Sequence, residues 1–142
     1  MTDSEDCLFC KIVRGEVPTS KIFEDDVCMA FMDVFPIKEG HCLLIPKDHY
    51  QNLLDVDKDV AAHLARRLVD LTHKVNKVIA PDGIITSAAN GKGAGQEIPH
   101  LHFHVIPRNH GDGFGFRFPD DYRNKMADRE RLDELAAQLG KA

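Results

Sequence analysis

Between Asp57 and Ala80 the apolar residues Val60, Leu64, Leu68, Leu71, Val75 and Val78 recur at steps of three and four. That period gathers them on one stripe of a long amphipathic helix, and Pro81 and Gly83 stop it. A shorter stripe, Leu8, Phe9, Ile12 and Val13 in CLFCKIVRG, predicts a small helix that ends at Gly15. A last helix over roughly 128–139 places Leu132, Leu135 and Leu139 on a shared face. The other apolar runs are too short for helices and read as strands: KIFED, VCMAFMD, HCLLIP, GIITSAAN and HLHFHVIPR. The first two join at Asp25 and Asp26 as a hairpin, and Pro46 closes the third. Strands outnumber helices and the early connections are short, which predicts an α+β fold, an antiparallel sheet with helices on one side.

The strand HLHFHVIPR places His100, His102 and His104 on one face and Leu101, Phe103 and Val105 on the other. Such a row can hold a metal, work on a phosphate, or be a polar strand face with no task. The loop before it, NGKGAGQEIP, bears on the choice. Gly91, Gly93 and Gly95 let the chain curl and expose backbone N–H donors, which suit an oxyanion. A metal would call for nearby acceptors, and Glu97 is the one carboxylate close in sequence. Anion-holding donors beside imidazoles point to phosphate chemistry. A neutral imidazole, with a pKa near ~6.5, is nucleophilic at neutral pH without a strong base.

Composition narrows the setting. With 142 residues, 43% hydrophobic and 29% charged, the chain reads as one globular domain, with a core over about 5–110 and a loop and helix over 111–142. A formal charge of -5 gives no general attraction to nucleic acid, so an anionic ligand needs a local site. The stretch MTDSEDC has no basic or apolar leader character, and no run approaches the ~18 apolar residues of a membrane span. A cytoplasmic protein with no membrane partner is expected. Cys28 and Cys42 sit in apolar runs and read as buried free thiols.

HLHFHVIP, with the AGQ before it, resembles the signature of the histidine triad (HIT) family of nucleotidyl hydrolases and transferases. LFCKIVRGEVPTSKIFEDD, AFMDVFPIKEGHCLLIPKDH and NGKGAGQEIPHLHFHVIPR are similar to its Hint-type branch, in order, over most of the chain. The resemblance implies a five-stranded antiparallel sheet, and a homodimer whose sheets join into one of ten strands. It implies cleavage of nucleoside 5'-phosphoramidates or related nucleotidyl conjugates, with no catalytic metal. On that basis His102 is the nucleophile that takes the nucleotidyl group, and His104 contacts the phosphoryl oxygen and leaving group. His100 and His41 order the site. Asn90, Gly95 and Gln96 fall at phosphate-contacting positions, Asp33 at the ribose, and Phe9, Ile12, Phe31 and Val34 at the walls of the base pocket.

Glu97 stands where many relatives carry Ser or Thr. Its charge opposes a polyphosphate and its oxygens suit an amine leaving group, so phosphoramidates are expected over dinucleoside polyphosphates. His104, where the transferase branch carries Gln, favours hydrolysis over exchange.

Cys7 and Cys10 form a CxxC with no second CxxC, which by spacing fits a zinc half-site or a buried thiol pair equally. Some Hint-type members bind zinc at positions that match Cys7, Cys10, His49 and His100, a closed tetrahedral set that implies a structural zinc. His63 and His73 read as helix-face residues, His110 as a loop residue and Lys92 as a solvated lysine; packing is expected of Phe114, Phe116 and Phe118. Two other functions fit the pattern: a metalloenzyme whose three triad imidazoles hold a catalytic ion, and a nucleotide-binding interaction module with incidental hydrolysis.

Overall fold

The computed structural model of the chain describes residues 4–142. They form two compact units, one ending at Asp112 and one spanning Gly113–Ala142. The first holds helix α1 (Leu8–Val13), strands β1 (Lys21–Glu24), β2 (Cys28–Met32) and β3 (Cys42–Pro46), helix α2 (Lys58–Ile79), and strands β4 (Gly83–Ser87) and β5 (Phe103–Arg108). The second holds helix α3 (Arg129–Lys141). The strands make one sheet in the order β1-β2-β3-β5-β4, every neighbouring pair antiparallel. This is the predicted α+β fold, five antiparallel strands with one long and two shorter helices.

Helix α2 starts where the Asp57 carboxylate accepts the N–H groups of Asp59 and Val60, and ends at Ala80, which turns left-handed (φ 52) before Pro81. Its Leu64, Leu71 and Val75 pack on Cys28, Ala30, Cys42, Leu44, Leu101 and Val105 to form the main core. Val78 departs from the predicted stripe: it is 79% exposed, so the buried face of the helix stops at Val75.

Helices cover both faces of the sheet, which corrects the expected one-sided arrangement. α1 packs Phe9, Cys10 and Ile12 on Met29, Phe31, Leu43 and Ile45, the alternate residues of β2 and β3. Those two central strands are apolar at nearly every position, so each face has to be covered. α1 is the cover on the second face.

The hydrogen-bonded ladder of β5 begins at Phe103 instead of His100. Before it, the N–H of Leu101 donates to the carbonyl of Tyr50 (2.7 Å), and Leu101 is fully buried in the main core. The alternation therefore persists: Leu101, Phe103 and Val105 join the α2 side, and His102 lies against Phe9 of α1. Just before β3, Gly40 has φ 95, and a Cβ there would stand 2.8 Å from Ile79 Cγ1 and 3.2 Å from Pro107 Cγ.

In the second unit Asp128 caps α3 by accepting from the N–H of Arg131, and Leu132, Leu135 and Leu139 are solvent-exposed. The aromatic run stacks on itself, Phe116 on Phe118 and Phe118 on Tyr122. Among the described residues no helix is long and apolar enough to cross a membrane.

Candidate functional site

Cys7, Cys10, His49 and His100 come together at the start of α1, with ligand atoms all within 4.8 Å of one another. Cys7 is the N-cap of the helix and its sulfur accepts the N–H of Cys10 (3.4 Å); the sulfur of Cys10 accepts the N–H of Ser4 (3.3 Å). Nδ1 of His100 lies 3.3 Å from Cys7 Sγ and 3.5 Å from Cys10 Sγ, while His49 Nδ1 is 3.4 Å from Cys10 Sγ. Tetrahedral bonds of ~2.3 Å to sulfur and ~2.0 Å to nitrogen would separate ligands by roughly 3.3–3.8 Å, so a cation of zinc's size fits the gap. The tautomer fits too. His100 Nε2 faces the carbonyl of Pro46 at 2.8 Å and must carry the proton, which leaves Nδ1 bare toward the sulfurs.

The same reasoning fixes the other rings. Nδ1 of His102 donates to the carbonyl of His100 (2.7 Å), so its Nε2 is unprotonated, and Nε2 makes no hydrogen bond among the described residues. The N–H of Ile37 donates to His41 Nδ1 (3.1 Å), so His41 is protonated at Nε2 and donates to His104 Nδ1 (2.9 Å). His104 in turn carries its proton on Nε2. Its ring centroid is 4.9 Å from that of His102.

Burial keeps these rings neutral. It is the largest cause in each case, pushing His100 and His104 down to about 4 and lowering His41 and His102 as well. The Asp33 carboxylate partly opposes this at His41, His102 and His104.

The expected apolar walls lie beside His102. Phe9 meets its ring edge-on at 5.2 Å and meets Phe31 at 5.7 Å, and Ile12 shares the same buried cluster. Val34 is 75% exposed and stands apart from that cluster. Asp33 turns one oxygen to the N–H of Phe35 (2.9 Å) and the other toward His41 Nε2 (3.5 Å).

In the glycine loop, Gly91 (φ 98) and Gly95 (φ 92) are left-handed, as their place in the turn demands. Several of the donors expected to face an anion are spent inside the loop. Ala94 N–H donates to the Gly91 carbonyl, Gly95 N–H to that of Lys92, and Gly91 N–H to the side-chain oxygen of Gln96. Gln96 is buried; its amide nitrogen donates to the carbonyls of Gln51 (2.6 Å) and Ile98 (3.0 Å). Asn90 is exposed and accepts from the N–H of Leu53 (2.8 Å), and Glu97 and Lys92 project to solvent.

Two further clusters have metal-ligand chemistry, Asp33 with His41 and His104, and Asp25 with Cys28 and His63. Neither is prepared for a cation. In the first, Ile37 holds His41 with its proton on the very nitrogen that faces the cluster. In the second, burial and then the Asp25 charge push the Cys28 thiol up to about 12, and Arg67 Nε stands 3.3 Å from the Asp25 carboxylate. The expectation of an ion shared by three triad imidazoles fails as well, because His100 turns both ring nitrogens to other partners. His63 donates to Asp25 (2.7 Å), a tie between α2 and the β1–β2 hairpin that no local pattern announces.

The HIT domain model matches residues 14–111. An adenosine 5'-monophosphoramidase of Schizosaccharomyces pombe is 37% identical over 114 residues, 80% of this chain and 83% of that protein. A crystal structure from Streptococcus mutans superposes with a TM-score of 0.90 at 37% identity, covering 98% of this chain and 86% of its own. A Zn-bound histidine triad family protein of Mycobacterium smegmatis is 33% identical, with a TM-score of 0.75 over 98% of this chain and 99% of that one. The chain belongs to the HIT family, in its Hint-type branch.

Proposed function

We propose that the protein is a nucleotide-binding hydrolase that cleaves nucleoside 5'-phosphoramidates or closely related nucleotidyl conjugates through a covalent nucleotidyl-His102. The observation that carries this reading is the hydrogen bond from His102 Nδ1 to the His100 carbonyl, which leaves Nε2 with a free electron pair. That pair forms the bond to the α-phosphorus while the bond to the leaving group breaks. His104 Nε2–H donates to the phosphoryl oxygen and the departing group, and His41 holds the ring in that tautomer. Water then displaces His102 and restores the free imidazole. Phe9, Ile12 and Phe31 wall the base, Asp33 faces the ribose, and Asn90, Gly95 and Gln96 belong to the loop that meets the phosphate. The phosphoramidase activity named for the fission-yeast relative supports the substrate class.

Cys7, Cys10, His49 and His100 would hold a structural zinc, for which the donor geometry and the Zn-bound relative both speak. When bound, it supplies four bonds that pin α1 to the sheet and leaves no open coordination position. The rest of the mechanism belongs to the chain's own side chains. A second copy would extend the sheet to ten strands at the exposed edge β4, beside the apolar groove of Leu68, Val69 and Ile84; light scattering of the purified protein tests for that dimer.

The decisive experiment is adduct trapping. Incubation with an adenosine 5'-phosphoramidate, acid-free quenching and peptide mass spectrometry should find a nucleotide-sized addition on His102. Turnover with the addition on another residue, or with none, overturns the mechanism.

A further inference from the structure

Among the described residues, the buried polar or charged side chains are those of His41, Asn52, Gln96, His100 and His102. Four of these belong to the site already described. Asn52 does not, and burying a primary amide costs roughly 1–3 kcal/mol unless its hydrogen bonds are made. Its partners say what it is for.

The segment Tyr50 to Asp55 closes on itself. Both Asp55 oxygens accept backbone donors, from Gln51 (3.0 Å) and Asn52 (2.9 Å), and the Asn52 side-chain oxygen accepts the N–H of Leu54 (2.9 Å). The closed turn is then tied to the glycine loop at three points. Gln96 donates to the Gln51 carbonyl (2.6 Å), Asn52 donates to the Gln96 side-chain oxygen (3.4 Å), and Leu53 N–H donates to Asn90 (2.8 Å). A fourth tie runs from the N–H of Leu101 to the Tyr50 carbonyl, between the first two triad histidines. One short turn thus touches both the phosphate loop and the histidine row.

We infer that Asn52 and Asp55 are positioning residues for phosphate recognition, holding the Asn90–Gln96 loop at a fixed distance from His102 without touching substrate themselves. The inference rests on the proposed reading of that loop. The Gln96 nitrogen serves the Gln51 (2.6 Å) and Ile98 (3.0 Å) carbonyls, and its side-chain oxygen is shared between Gly91 N–H (2.8 Å) and Asn52, so Asn52 adds its donor to the set of bonds that fixes which way the Gln96 amide faces and, through it, where Gly91 sits. A rotated Gln96 would set its NH₂ against the Gly91 donor and open the loop.

The test is binding of AMP and of adenosine to wild type, Asn52→Asp and Asp55→Ala, read by calorimetry. Asn52→Asp keeps the acceptor for Leu54 but sets a carboxylate oxygen against Gln96. It should weaken AMP by about 10-fold, near 1.4 kcal/mol, with adenosine affinity unchanged. Asp55 is exposed, so Asp55→Ala should fold and show the same selective loss. Equal loss of both ligands, or an unchanged AMP-to-adenosine ratio in folded variants, overturns the inference. A wild type that prefers AMP no more than adenosine overturns the phosphate reading of the loop itself, and the inference falls with it.

Discussion

His100 and His102 are joined main chain to side chain: the carbonyl of the first holds the ring of the second at 2.7 Å, while the ring of the first faces Cys7 and Cys10. One residue thus contributes to two centres through two different groups. The His102 ring owes its tautomer to the backbone, and the thiol cluster owes its fourth donor to the side chain.

Replacing the His102 ring, the proposed nucleophile, should separate chemistry from binding. His102→Ala should lower kcat for an adenosine phosphoramidate by ~10⁴-fold or more and still bind AMP within a few-fold of wild type. Single-turnover kinetics with calorimetry checks both halves, and substantial residual turnover would reassign the nucleophile.

Protein purified without chelator should hold close to one zinc per chain by elemental analysis. Cys10→Ser should lose most of that metal and melt on the order of 10 °C lower, since a structural site binds only the folded state. A metal-free wild type with the same melting point would remove zinc from the account.

The role proposed for Glu97 is to set leaving-group preference by charge. Glu97→Ser should raise kcat/KM for a diadenosine polyphosphate relative to an AMP amidate by about 5- to 10-fold, the effect of removing ~1 kcal/mol of like-charge repulsion near the surface. A wild-type preference for the polyphosphate would contradict the assignment before any variant is made.

The hairpin tie to α2 is pH-dependent. Burial pushes the Asp25 carboxyl up, but hydrogen bonds from His63 and from the N–H groups of Val27 and Cys28 outweigh it and hold the group well below the usual carboxylate range. A depressed folded-state pKa contributes stability that is complete above the unfolded value of ~3.9 and is lost as pH falls below it. Asp25→Asn should therefore be ~1–2 kcal/mol less stable than wild type at pH 7 in urea unfolding, with the gap closing below about pH 3. A gap that persists unchanged in acid would mean that the charge plays no part.

Gly40→Ala should destabilise the fold by roughly 2–4 kcal/mol, combining a left-handed backbone with overpacking against Ile79 and Pro107. Calorimetric melting measures it directly.

Much of this was legible in the chain. Period and breakers mark every α-helix and strand to within a few residues, because Asp57, Pro81, Gly15 and Pro46 act locally, while the 3-10 turn Lys92–Ala94 inside the glycine loop carries no such mark. The face alternation of HLHFH survived even where the ladder had not begun, since alternation follows from extended backbone and not from pairing. What remained hidden depends on neighbours brought together by the sheet order. The His41–His104 bond exists because β3 lies beside β5, and no spacing along the chain announces it. Cover on both faces contradicts the one-sided expectation, although the unbroken apolar runs of β2 and β3 demand it. Asn52 carries no signal of its own in the chain; its burial comes from the turn that folds over Gln96.

Helix α1 has six residues, well short of the length at which a helix stands alone in water. Its order is borrowed: from sulfur at one end and from apolar contact with the sheet along its side. Phe9, which flanks the His102 ring, is mounted on that borrowed scaffold. The apolar wall proposed to meet the base is accordingly only as firm as the anchorage of the two thiols.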